Sequence, residues 1–228
     1  MRQNKIFLSN TKKENKGKET IEPKKIKTFS LTSHRLSNNL SENSKLNIYN
    51  LLKTDPLTSS IPGTTFENLL IVLYGNSEFV KSLESSNWPK QMLEEIRKTA
   101  KTRDPIESLD DLRPQNEKYK IAFYKMLKGS GFYDLKNRLG HPPLSDFVSL
   151  QKNNKTAVNF NYASLPVLQA LLGDQVATSI LQKEKIKSES KGGRRVLSKT
   201  ELLALLKSSP ENNKNTTELE QMLSFSKK

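Results

Sequence analysis

The residues best suited to chemistry in this 228-residue chain are few and scattered. His34 stands among Ser, Thr and Asn, and His141 precedes two prolines. Neither sits at a metal-ligand spacing or beside a nucleophile that it could serve as base. There is no cysteine, which removes thiolate ligands, sulfur nucleophiles and disulfides together. The acidic pair Asp110 and Asp111 in "SLDDL" follows Ser108, where carboxylates favour the positive end of a helix; an oxygen-ligand calcium site is the other use of such a pair. "NKGKET" resembles the end of a phosphate-binding loop, without the earlier glycine or the apolar strand that would lead into it. These residues predict no catalytic site, no metal and no cofactor, hence a protein that is not an enzyme.

Amide groups are more telling. Asn47 and Asn50 in "KLNIYNLL", and Asn159 and Asn161 in "AVNFNYAS", stand between apolar residues where each segment runs into a helical pattern. An asparagine side chain has one acceptor and two donors, enough to satisfy stray backbone groups where extended chain becomes helix. Asn47 and Asn159 are therefore expected to pin the start of two structural units; ordinary turn residues are the alternative.

The elements around them read as short helices. "TTFENLLIVLYGNSEFVKSLES" predicts a helix opened by a capping box, Thr64 with Glu67, and ended or divided at Gly75, with Phe66, Leu69, Leu70, Leu73 and Val80 at helical spacing. "NWPKQMLEEIRKTAKT" has Asn87 as cap and Met92, Leu93, Ile96 and Ala100 along one face. "DPIESLDDLRP" is a short helix between prolines, "NEKYKIAFYKMLKG" stops at Gly129, and "PPLSDFVSL" adds a turn or two. Further on, Ser164 caps "LPVLQALLG", which Gly173 ends; "DQVATSILQKEKI" follows; then Ser198 and Glu201 form a capping box opening "KTELLALLK". Thr217, with Glu220 three residues on, marks a last weak helix. Trp88, Phe66, Phe123, Tyr124, Phe132 and Tyr133 lie on or beside helices and are assigned to the core.

The expected fold is mainly α: two small helical subdomains of the helix-hairpin-helix or SAM-like kind, with a minor β element from the asparagine segments. Residues 1–40 are expected to be a disordered basic tail, 41–150 the first subdomain, 151–208 the second and 209–228 a flexible C-terminal tail. A hydrophobic fraction of 34% agrees with unburied polar ends.

Two features occur twice in the same order: an asparagine segment, then a cap-and-leucine element, "SLDDL" at 108–112 and "LSKTELLALL" at 197–206. "VNFNYASLPVLQALLG" followed by "LSKTELLALL" resembles the pattern of helix-hairpin-helix modules and of protein K of the type II secretion system, a minor pseudopilin. "LSENSKLNIYNLL" and "DPIESLDDL" resemble that family's upstream and middle segments, so the likeness covers about residues 36–206. Tyr49 interrupts the first asparagine pair and Tyr162 stands where Thr is usual. The family's prepilin cleavage motif and hydrophobic helix have no counterpart in these residues, so the start is expected to be misplaced or the chain trimmed. The resemblance implies a structural protein without catalysis, the helical insertion of an α+β pilin-like fold, other minor pseudopilins as partners at the pseudopilus tip, and an inner-membrane and periplasmic location.

The formal charge of +14 points instead toward nucleic acid. Its distribution weakens that reading, because residues 1–28 carry nine Lys or Arg against Glu14, Glu19 and Glu22, and residues 183–195 carry six against Glu184 and Glu189. DNA-binding hairpins use a glycine-rich turn whose N–H groups meet phosphate. Here "LLGDQVATSI" keeps only Gly173 and puts Asp174 where phosphate would sit. A soluble basic helix-hairpin-helix protein binding nucleic acid non-specifically is the alternative function. No run of 18 apolar residues is present, so no membrane span or secretory signal is expected.

Overall fold

In the computed structural model the described residues are Arg35 and residues 42–53, 61–134, 139–152, 158–189, 196–208 and 216–225. The expected basic tail apart from Arg35, and residues 190–195 of the basic loop, lie outside them. Strand β1 (Leu46–Asn47) leads into α1 (Tyr49–Lys53), α2 (Ile61–Tyr74), α3 (Glu78–Lys81), α4 (Trp88–Thr102), a 3-10 turn at Leu109–Leu112 and α5 (Glu117–Lys128). The antiparallel hairpin of β2 (Tyr133–Asp134) and β3 (Leu139–Gly140) follows, then a 3-10 turn at Leu144–Asp146 and β4 (Val148–Ser149). β4 lies parallel to β1, Leu46 opposite Val148 and Asn47 opposite Ser149.

The second half repeats the plan. β5 (Val158–Asn159) is followed by α6 (Leu165–Leu172), α7 (Asp174–Glu189), α8 (Lys199–Ser208) and α9 (Thr216–Met222). β6 (Leu223–Ser224) then returns parallel to β5, Val158 opposite Leu223 and Asn159 opposite Ser224. The described protein is thus mainly α with a few two-residue strands, and all of it falls within the unit Leu31–Lys228.

The two halves share one core. α2 packs against α6 more extensively than any other pair of described elements. Leu69, Leu70, Val167 and Leu168 are wholly buried, and Asn68 Nδ2 donates to the Ala170 carbonyl at 3.1 Å across the contact. α6 is apolar nearly all round because it is covered nearly all round: six of its eight residues are buried.

Three expectations change. α2 starts at Ile61, so Thr64 and Glu67 lie inside it rather than at its cap. Pro62 supplies the preset φ that a first helical turn needs. "PPLSDFVSL" forms its turn at Leu144–Asp146 but also holds β4, and two residues are too few to show strand alternation. Within 209–228, residues 216–224 form α9 and β6, because Leu219, Met222 and Leu223 bury themselves as the strand pairs with β5.

Candidate functional site: the asparagine network and the adjoining groove

Each parallel strand pair ends in a knot made of asparagine amides. Asn47 Oδ1 accepts from the Tyr49 N–H at 3.1 Å, and its Nδ2 donates to the Gln151 carbonyl at 2.9 Å. In the second half, Asn159 Oδ1 accepts from the Asn161 N–H at 3.1 Å, while Asn161 Nδ2 donates to the Phe225 carbonyl at 3.0 Å. Ile48 N–H to the Ser149 carbonyl at 3.0 Å and Phe160 N–H to the Ser224 carbonyl at 2.9 Å complete the match. The turn bond of Asn47 to the Tyr49 N–H in the first half is matched by that of Asn159 to the Asn161 N–H in the second. The counterpart of Asn161 is therefore Tyr49, and Asn50, exposed in α1, lies one position out of register. Asn159→Ala is expected to cost about 1–3 kcal/mol, since it strips a buried donor of its acceptor. Chemical denaturation checks it, and a loss under about 0.5 kcal/mol, the range of ordinary surface substitutions, would reduce the asparagine to a passive turn residue.

The same point of each turn is held by an arginine. Arg97, from α4, donates through Nε to the Leu51 carbonyl at 3.1 Å. Arg35 donates through Nη1 to the Ala163 carbonyl at 2.6 Å and the Phe160 carbonyl at 3.2 Å. It also meets both oxygens of Glu184 at 2.7 Å, and its guanidinium carbon stands 5.0 Å from the Phe160 ring centre. Arg35 is 0% and Glu184 2% exposed. A residue within the expected tail thus fills the interior of the second half.

The remaining motif residues cap helices. Ser198 and Glu201 form their box: the Ser198 N–H donates to Glu201 Oε2 at 2.7 Å, and the Glu201 N–H donates to Ser198 Oγ at 3.3 Å. Lys187 foremost, with the Ser198 N–H and hydroxyl, holds the Glu201 carboxyl down to about 2 from its ordinary 4.5. A depressed acid stabilises fully above its unfolded value. This contribution is therefore complete above pH 4.5 and fades as the pH falls toward 2. Glu201→Gln is expected to flatten the stability–pH curve in that window, and an unchanged slope there would remove the carboxylate from the cap.

Ser164 stands at the N-cap of α6, yet its buried Oγ makes no hydrogen bond among the described residues. A cap side chain serves the N–H at N2 or N3, and N2 is Pro166, which has none. Gly173 ends α6 at φ +83°, a left-handed conformation that glycine adopts without strain. Ser108 and Asp111 form the matching box of the first half; backbone N–H groups of Ser108 and Glu107 hold the Asp111 carboxyl below its ordinary value, while Asp110 pairs with Arg113. Among the described residues no cluster of three or more His, Asp or Glu could hold a metal, and no helix is long and apolar enough to cross a membrane.

Beside this network lies a groove of about 1060 Å³, walled by the end of α2, α3, the end of α5, the β2–β3 hairpin and the start of α6. His141, in the loop that follows β3, lines it, its ring 5.0 Å from that of Phe79. Burial holds the imidazole below its ordinary value, partly offset by the Lys125 carbonyl. Tyr74, buried behind, donates its hydroxyl to the Pro142 carbonyl at 3.0 Å and fixes the wall. Tyr124 and Phe132, assigned to the core from sequence, are exposed instead: α5 turns Ala122, Phe123 and Met126 inward and Tyr124 outward, and Phe132 stands beyond the end of that helix. The groove left no mark in the sequence, since its lining comes from five separated segments. Arg35 had none either: a lone arginine in a polar stretch looks like a solvated charge.

Comparison with protein-family models, with curated proteins and with solved structures finds no match to this chain.

Proposed function

We propose that the chain is a non-catalytic structural protein of the type II secretion minor pseudopilin K kind. It acts by shape and contact with other minor pseudopilins at a pseudopilus tip, on the periplasmic side of the inner membrane. One observation carries the reading: the four segments that resemble that family in order, at Asn47, Ser108, Asn159 and Ser198, each do scaffold work. Two close parallel strand pairs and two cap helices. The side chains of Asn47, Asn159, Asn161, Ser198 and Glu201 are occupied in holding the backbone, which suits a protein whose product is an assembled surface.

The alternative, non-specific nucleic-acid binding, rests on the charge of +14. Against it, Asp174 occupies the start of α7, bonded to Gln169 Nε2 at 2.6 Å, and leaves no cradle for phosphate. Co-expression with the other minor pseudopilins of a type II secretion apparatus decides the matter. A complex that survives size exclusion in 0.5 M salt is expected, salt that suppresses simple charge attraction. Loss of every complex, together with submicromolar retention of DNA on filters at physiological salt, would overturn the proposal in favour of the alternative.

A further inference from the structure

We infer that the groove between α2, α5 and the β2–β3 hairpin is a docking site for an amphipathic helix of a partner protein whose apolar face is flanked by acidic side chains. Ile71 is 51%, Val72 40%, Tyr124 47% and Leu139 56% exposed, and all four line this one concavity. Single exposed apolar residues are ordinary, whereas a cluster around a groove marks a binding surface.

Its size selects the occupant. Two turns of helix, 10–12 Å wide and about 11 Å long, fill roughly 850–1200 Å³, and the groove holds about 1060 Å³. A peptide added as an extra β-strand would need a strand edge to pair with. The hairpin here offers strands of two residues, which carry too few backbone groups.

Its charge selects the flanks. Lys125 and Lys128 are exposed at the rim, one turn apart on α5, with no carboxylate partner among the described residues. Their ammonium groups stand 5.8 Å from the Phe79 ring centre and 6.0 Å from that of Tyr124, so they flank the apolar floor. The acids in the lining are Glu78, already bound to Lys81 at 2.6 Å, and Asp134. Lysines in a last helical turn also complement the helix dipole. That accounts for their sign but not for the exposed apolar residues beside them. The walls are preformed, through Tyr74 on Pro142 and the packing of His141 on Phe79, so little ordering is needed on binding. The inference stands on the groove and holds whether or not the secretion reading does.

The test uses the full chain and fluorescein-labelled 15-residue peptides with Leu at i, i+3, i+4 and i+7, flanked by Glu in one and Lys in the other. Anisotropy titration is expected to give at least tenfold tighter binding of the Glu-flanked peptide. Val72→Glu and, independently, Tyr124→Ala are expected to weaken it about tenfold with the helical circular dichroism unchanged. The double variant K125E/K128E is expected to reverse the preference between peptides. Equal binding of both peptides, or a preference that survives the charge reversal, would sink the inference. Self-association in sedimentation velocity that Val72→Glu abolishes would overturn it in favour of a second copy. Pelleting with phosphatidylcholine–phosphatidylglycerol vesicles that Val72→Glu abolishes would do so in favour of a lipid surface.

Discussion

Replacing Arg35 by alanine is expected to lower folding stability by about 3–5 kcal/mol, the usual effect of removing one partner from a buried ion pair. The magnitude follows from what stays behind. Glu184 would be left as a carboxylate 2% exposed, keeping only the Leu197 N–H at 3.3 Å as a donor in this network, while the carbonyls of Phe160 and Ala163 lose theirs. Taking out both charges together is a different experiment. Arg35→Met with Glu184→Met replaces the pair by apolar groups of similar length, and such exchanges are often close to neutral. The double variant is expected to recover most of the loss, short of the unmet Leu197 donor and the two carbonyls. Denaturant titration checks both. If Arg35→Ala stays within about 1 kcal/mol of the parent, the guanidinium is not buried in solution and the N-terminal attachment at this point is wrong.

The second large effect is expected at the seam between the halves. Leu168 is wholly buried on α6 and belongs to the contact with α2. Leu168→Ala removes three carbon atoms from a packed interior, at about 2–5 kcal/mol depending on how far the surroundings collapse. The form of the transition is as informative as its midpoint. If the shared core makes the halves one cooperative unit, Leu168→Ala shifts a single transition without splitting it. Two resolved transitions, one sensitive to Leu168→Ala and one indifferent, would show that each half folds alone and that the α2–α6 contact is secondary.

Helices were the legible part of this chain. Met92, Leu93 and Ile96 recur at helical spacing and are buried, and Gly129 and Gly173 end helices where sequence placed them. The capping box at Ser198 was readable because its bonds form between residues three apart, and Ser108 was readable as a cap, whereas Thr64 and Glu67 show the same spacing inside a helix. Asn159 and Asn161 could be singled out, but not which carbonyl each would meet, since Phe225 lies in a distant stretch of chain. The asparagine segments were legible as a minor β element, and β1 and β5 form there, but their partners β4 and β6 were not, because they are remote in sequence and too short for alternation. The matching arginines were hidden more deeply. Arg97 comes from a helix inside its own half and Arg35 from outside the half it serves, so no repeat in the sequence pairs them. Tyr124 misled because an aromatic residue on an amphipathic helix is buried only if its face is, and only the tertiary fold decides that; Phe132, beyond the end of α5, has no helical face at all.

The parallel closure of each half carries a directional consequence. A hairpin-like antiparallel closure would send the chain back the way it came. With β4 alongside β1 and β6 alongside β5, the backbone departs each half travelling the same way as it arrived. Each unit therefore has its entry and exit strands side by side and pointing the same way. A gene segment encoding such a unit could be duplicated in tandem without inverting the product, and the doubled asparagine knot is what that history would leave behind.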